Sequence, residues 1–173
     1  RLEATRSLPA KTLDGVVVTL MANAEFPEEA TAAAFYGAQG IGLFRSEYLL
    51  GRTRQWPTED EQVDVYRRLL DQFRPFPVTV RTWDVGAEDV GDGEDSPGPN
   101  PALGQRALRL AGRNPEPFRT QLRALLRAAT HGPIRIMFPF TSGPADVQIA
   151  LDLVEEARAE LRRDGAGDRT HAL

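Results

Sequence analysis

The chain has no cysteine. That excludes disulfides, thiolate metal centres and a cysteine catalyst within its 173 residues. Lysine is nearly missing as well: Lys11 stands alone among 21 basic residues, so arginine carries almost all the positive charge, a bias expected from coding composition. No apolar run approaches the ~20 residues that span a bilayer, and no secretory leader pattern opens the chain. The expected location is therefore cytoplasmic. A net charge of −4 provides no general basic field for nucleic acid, and no nucleic-acid motif is visible. Histidine occurs only at His131 and His171, neither beside a group that would activate it.

What is present reads as alternating strands and helices. "GVVVTLMAN" (Gly15 to Asn23) has the β-branched composition of a fully buried strand. "FPEEATAAAFYGAQG" follows as a helix, with Pro27 in its first turn, Glu28 and Glu29 at its positive end and Gly37 at its stop. "PTEDEQVDVYRRLLDQFR" is the clearest helix. Thr58 and Glu61 form a capping box, and Val63, Tyr66, Leu69, Leu70 and Phe73 make an apolar stripe. Further strands are expected over Ile41–Phe44, Val78–Thr82 and "IRIMFP". Asn114 and Pro115 open a helix with Phe118, Leu122, Leu125, Leu126 and Ala129 on one face, stopped at Gly132. The last helix carries the stripe Val147, Ala150, Leu151, Val154, Ala157 and Leu161. Four rounds of strand and helix without a hairpin signal predict parallel βα units.

Two strands end alike. "GIGLFRSEYLL" (Gly40 to Leu50) delivers Arg45 and "VTVRTWD" (Val78 to Asp84) delivers Arg81. In parallel βα folds of barrel type the reacting groups sit at the C-terminal ends of strands. Adjacent strands lie ~4.8 Å apart, so two such arginines can surround one small anion. Guanidinium is permanently charged, and its fork matches phosphate or carboxylate oxygens in pairs. The alternative is that each arginine pairs with a local acid, Glu47 for Arg45 and Asp84 for Arg81, and only closes the rim. Both readings stand on spacing alone. Asn23, ending the first strand, either points into the same mouth or makes a turn. Arg106, expected on a short helix opened by Asn100 and Pro101, is by itself a solvated charge. The acidic, Gly/Pro-rich stretch from Asp84 to Asn100 is expected to be a long loop, and its run Asp89 to Asp95 lacks the ligand alternation of a calcium loop.

Several ordered blocks together resemble one family: "SLPAKTLDG", "GIGLFRSEYLL", "PTEDEQ", "VTVRTWDVG", "NPALGQRALRL" and "FRTQLRALLRAATHGPIRIMFPF". They are similar, in register from about Ser7 to Gly165, to the phosphoenolpyruvate-protein phosphotransferases, Enzyme I of the bacterial sugar phosphotransferase system. The resemblance implies a (βα)8 TIM barrel that binds phosphoenolpyruvate (PEP) and Mg²⁺. It implies that residues 1–173 are the N-terminal half of that barrel domain, about four βα units. In the family, PEP phosphorylates a histidine on a separate domain, leaving pyruvate, and the phosphoryl group passes to a small phosphocarrier protein serving sugar transport. Arg45 and Arg81 match the family's PEP clamp, and Arg106, in "LGQRALR", matches a further arginine of the site's rim. The metal ligands, the cysteine acid and the phosphohistidine domain are implied to lie outside this chain. No catalytic residue is therefore assigned within it, and the isolated piece is expected to lack turnover and to self-associate through uncovered strand edges.

The sequence departs from the family where Asp-Ile-Gly-Gly-Asp-Lys is usual: "DVGAED" puts Glu88 for aspartate and Asp89 for lysine. An anion in place of a cation near a trianionic substrate opposes binding if Asp89 faces it. Three other assignments share much of the same chemistry or surroundings: the pyruvate phosphate dikinase and PEP synthase group, a multidomain phosphoryl carrier serving another kinase such as a dihydroxyacetone kinase, and a degenerate regulatory module without catalysis.

Overall fold

A strand that alternates apolar and polar side chains must bury one face and leave the other open. The third strand does so in its four residues. Val78 and Val80 are completely buried, whereas Thr79 and Arg81 lie on the opposite side and keep some solvent. In the computed structural model, which describes residues 5–51, 55–86 and 104–166, this rule organises a four-stranded sheet. The strands are β1 (Ala22–Ala24), β2 (Ile41–Arg45), β3 (Val78–Arg81) and β4 (Ile134–Met137). They pair in chain order, β1-β2-β3-β4, and every pairing is parallel. The expected parallel βα units are thus present, as an α/β fold.

The helices are α1 (Glu29–Phe35), α2 (Glu59–Phe73), a short α3 (Leu108–Ala111), α4 (Pro115–Ala128) and α5 (Pro144–Arg163). Ile41, Phe44, Val78 and Val80 pack with Tyr66, Leu69, Leu70 and Phe73 of α2, Leu122 and Leu125 of α4, and Val154, Ala157 and Leu161 of α5 in the main core. At ~25 cal/mol per Å² of apolar surface removed from water, this shared core dominates the folding free energy. A smaller cluster joins Leu50, Trp83, Val85, Leu110, Ala111 and Phe118 under the strand ends. Trp83 is fully buried there, its indole N–H donating to the Pro117 carbonyl at 3.1 Å.

Helix α2 begins as its sequence dictates. Thr58 accepts from the Glu61 amide, and Glu61 accepts from the Thr58 amide at 2.8 Å. The Thr58 amide, and with it the Thr58 hydroxyl, donates to the Glu61 carboxylate and holds it below its ordinary range. The stripe of α2 is buried as expected, except that Val63 is half-buried and Gln62 is buried in its place.

Four expectations need correction. The strand read over Gly15–Asn23 shortens to Ala22–Ala24. Val16, Val17, Val18 and Leu20 are exposed, and Val17 forms an isolated antiparallel bridge to Lys11. Composition signals a strand only when a facing surface exists, and no described element covers this run. Asn114 makes no side-chain cap to α4; Pro115 and Glu116 occupy its first turn. On α5, Ala150, Val154, Ala157 and Leu161 are buried, but Val147 and Leu151 are exposed. The i, i+4, i+7, i+11 row fills the contact, and its neighbours fall on the flank. Finally, Arg106 is not on a helix. It precedes α3 and bridges to Gly86 across an antiparallel contact. The Asn100–Pro101 opening, Glu88, Asp89, the Asp89–Asp95 run and His171 lie outside the described residues.

Candidate functional site

Glycine opens the segment that delivers the first arginine. Gly40 has φ +111°, and a Cβ there would collide with the Pro77 carbonyl oxygen, so the entry to β2 runs close against the start of β3. From that start the two strands run side by side. Phe44 is opposite Val80, and Arg45 is opposite Arg81. Since Phe44 and Val80 face the helices, Arg45 and Arg81 both lie on the other face, at the C-terminal ends of neighbouring strands. The open face also carries Asn23 and Arg135, both exposed, with Thr79 and Met137 half-buried between them. Asn23 is therefore a strand residue on this face, paired with Leu43, and not a turn.

Each arginine has a carboxylate partner, though not in the expected combination. Arg45 Nη1 donates to Glu25 Oε1 at 2.6 Å, and both side chains are about a third exposed (35% and 34%). Glu47, expected to serve Arg45, instead meets Arg81 Nη2. Arg81 Nη1 also reaches Asp84 Oδ2 at 3.0 Å, as the local-acid reading expected. Asp84 is shared: its Oδ1 accepts from Arg106 Nε at 2.8 Å, and its backbone carbonyl accepts from Arg106 Nη2 at 3.4 Å. The Phe140 ring lies 5.2 Å from the Arg106 guanidinium, a cation–π contact. Phe140 holds a left-handed φ of +58°, and Ala107, next to Arg106, a φ of +51°. Non-glycine residues adopt such angles at a cost of ~1–3 kcal/mol each and persist where the surroundings fix them. Both flank Arg106.

The structure thus gathers Arg45, Arg81 and Arg106 along one rim with Glu25, Glu47 and Asp84 between them. Three cations face three anions, so the rim is formally neutral. Its donors are not exhausted, since a guanidinium has five N–H groups and Glu25 takes only one from Arg45. Arg81 Nε and Glu47 Oε2 are buried with no hydrogen-bond partner among the described residues. The two inner ion pairs differ in strength for a physical reason. The Arg45–Glu25 pair is open to solvent and contributes ~0.2–1 kcal/mol. Arg81 and Glu47 are only 19% and 18% exposed, and Asp84 10%, so breaking these by removing one partner is far more costly. Arg81 is held, whereas Arg45 can exchange its partner.

No group of three or more His, Asp or Glu side chains able to hold a metal occurs among the described residues. The rim carboxylates each face an arginine already, so these residues do not make a Mg²⁺ site. The His131 carbonyl accepts from Arg74 Nη2. No described helix is long and apolar enough to cross a membrane.

Sequence reasoning missed two features of the site. Glu25 lies 20 positions from Arg45, just beyond β1, and only the strand order brings it near. Gln121 is completely buried inside the α4 stripe. A polar residue at an apolar helical position was the available signal.

A parallel sheet covered by helices on one face, with arginines at neighbouring strand ends on the other, defines an α/β domain built from βα units. The family model described as "PEP-utilising enzyme, PEP-binding domain" matches residues 1–172, and the chain belongs to that family. Among curated proteins it is similar to the phosphoenolpyruvate-protein phosphotransferase of Cupriavidus necator, 44% identical over 169 residues, which cover 95% of this chain and 29% of that protein. The protein of the same name from Staphylococcus carnosus is 41% identical over 165 residues, again 95% of this chain and 29% of the relative. That of Geobacillus stearothermophilus is 41% identical over 155 residues, 89% of this chain and 27% of the relative. The chain therefore spans less than a third of the length of these relatives.

Proposed function

We propose that this chain forms one side of the PEP site of a phosphoenolpyruvate-protein phosphotransferase, as the N-terminal half of a (βα)8 barrel domain. The observation that carries this is the Arg45–Arg81 pairing, two guanidinium groups on register partners at adjacent strand ends, on the face the helices leave open. The name these relatives share supports PEP as the substrate.

In this reading the phosphate of PEP enters against Arg81, whose aim Glu47 and Asp84 fix, and draws Arg45 away from Glu25. A phosphate oxygen carries more charge than a carboxylate oxygen, and the Glu25 contact is solvent-exposed, so the exchange is favourable. Arg106, held by Asp84 and covered by Phe140, borders the same site. The chemistry is phosphoryl transfer: the P–O bond to the enol oxygen breaks, a P–N bond to a histidine of another domain forms, and pyruvate leaves after enolate protonation. Catalysis of such a step is mostly positioning and charge stabilisation, which is what paired arginines offer. Magnesium, a family expectation, finds no ligand set among the described residues, and in this reading its ligands belong to the remainder of the domain. The histidine, the phosphocarrier protein and the sugar-transport role likewise lie with the complete enzyme, which we place in the cytoplasm.

Calorimetric titration of the full-length protein with PEP tests the site. Arg81→Ala and Arg45→Ala should each weaken binding, by at least ~10-fold if one charge-assisted hydrogen bond of ~1.5–3 kcal/mol is lost. Heats equal to those of the unaltered protein would remove the clamp and leave the degenerate regulatory module as the reading.

A further inference from the structure

Behind the two arginines runs a buried chain of polar groups that charge balance does not require. Ser46, Gln62, Thr82 and Gln121 are the buried polar side chains of the described residues, and Gln121 lies at its centre. Its Oε1 accepts from the Trp83 amide at 2.9 Å. Its Nε2 donates to Ser46 Oγ at 2.9 Å and to the Tyr66 hydroxyl at 3.1 Å. Ser46 Oγ in turn donates to the Arg81 carbonyl at 2.6 Å, and Tyr66 donates to Gln62 Oε1 at 3.2 Å. Gln62 closes the chain on the Pro57 carbonyl at 3.0 Å.

Proton counting fixes every direction in this chain. Ser46 has one proton and gives it to the Arg81 carbonyl, so toward Gln121 it can only accept. Tyr66 gives its one proton to Gln62, so it too can only accept. Trp83 N–H can only donate. The group between them must therefore present two donors on one side and an acceptor on the other, which is a primary amide in a single orientation. A carboxylate would lack both donors, and an apolar side chain would orphan the Trp83 amide.

The ends of the chain are the strand ends that matter. Ser46 directly follows Arg45. Its hydroxyl grips the carbonyl of Arg81, and Trp83 lies two residues beyond Arg81. One amide on α4 thereby ties the backbone after Arg45 to the backbone at and after Arg81. We infer that Gln121 is the positioning residue that, acting through Ser46 and Trp83, sets the spacing of the Arg45–Arg81 pair for a phosphorylated three-carbon acid. This rests on the reading of those arginines as the PEP clamp. Burying an amide among Leu122, Leu125 and Phe118 costs free energy that a leucine would not; the geometry it imposes is the return.

The test is calorimetric PEP affinity of the full-length protein, measured where each variant is folded, for Gln121→Met, Ser46→Ala, Tyr66→Phe and Arg81→Ala. A displacement of ~1 Å in a positioned group can cost ~100-fold; Gln121→Met and Ser46→Ala are each expected to weaken PEP ~10-fold. Their double variant should be no weaker than the worse single, because both cut one chain. Tyr66→Phe removes a hydrogen bond of the same network that touches neither strand end. It should lower Tm and leave affinity within about twofold, since Gln121 keeps its contacts to Ser46 and to the Trp83 amide, the two that reach the strand ends. Unchanged affinity in Gln121→Met or in Ser46→Ala overturns the inference, as does a Tyr66→Phe loss equal to that of Gln121→Met. If Gln121→Met does not fold, Ser46→Ala against Tyr66→Phe decides. Full PEP affinity in Arg81→Ala would instead sink the clamp itself; loss there with unaltered Ser46→Ala binding would sink only the positioning role.

Discussion

Asp84 is the anion on which two rim cations converge, so neutralising it without changing its shape perturbs the site most selectively. In Asp84→Asn the contacts of 3.0 Å to Arg81 Nη1 and 2.8 Å to Arg106 Nε lose their charge. Arg81 keeps Glu47, and Arg106 keeps the residue-84 backbone carbonyl and the Phe140 ring but has no full anionic partner among the described residues. Unit charges at 4 Å attract by ~4 kcal/mol at an effective dielectric of about 20. Removing one partner of a fully buried pair costs ~3–5 kcal/mol. Asp84 is 10% exposed and its partners about a fifth exposed, so solvent reduces that penalty to ~2–3 kcal/mol. In urea, with a slope of ~2 kcal/mol per M, the unfolding midpoint should fall by ~1–1.5 M at unchanged slope. Adding Arg106→Met should recover part of the loss, with a coupling of ~1–2 kcal/mol, because the stranded cation is then gone. A loss under ~0.5 kcal/mol, or strict additivity with Arg106→Met, would refute Asp84 as the shared counter-ion.

Gly40→Ala forces a side chain into the Pro77 carbonyl at φ +111°. It should destabilise the protein by more than ~1–3 kcal/mol, the usual cost of such a backbone angle alone, in the same urea assay. Burial pushes the Tyr66 phenol above its ordinary 10, partly offset by the Gln121 hydrogen bond. Since the unfolded chain ionises this group near 10, its contribution to stability is complete below that pH and declines as pH rises above it toward the folded value. Spectroscopic titration should show the buried Tyr66 phenol ionising only with unfolding; its reversible ionisation in the folded protein would contradict this. The outer sides of β1 and β4 carry no further strand among the described residues. The isolated chain should therefore associate, and light scattering that shows a clean monomer at micromolar concentration would count against it.

Much of the fold was legible because it rests on local rules. The Thr58–Glu61 box and the α2 stripe need only neighbouring residues, and parallel pairing follows from strands separated by helices. The arginines at two strand ends were legible for the same reason, since alternation puts Arg45 and Arg81 on the face opposite Phe44 and Val80. Charge pairing was only half legible. Asp84 reached Arg81 as expected from its spacing, but Glu47 crossed to the neighbouring strand and Glu25 took its place beside Arg45. Those choices depend on which strand lies next to which, and no window of sequence contains that. Val16–Leu20 misled for a related reason: β-branched composition states what a segment could bury, and the burial depends on a partner surface. Gln121 was hidden by its own helix, where one polar residue in an apolar stripe reads as noise until the strand ends it serves are in view.

In the proposed site Arg45 and Arg81 together hold the phosphate of PEP. Phosphorus NMR of PEP added to the full-length protein tests it without turnover, by comparing the unaltered protein with the Arg45→Ala/Arg81→Ala double variant. The expected result is a shifted or broadened phosphate resonance with the unaltered protein and a free-ligand resonance with the double variant at equal concentration. The same perturbed resonance in both would contradict it.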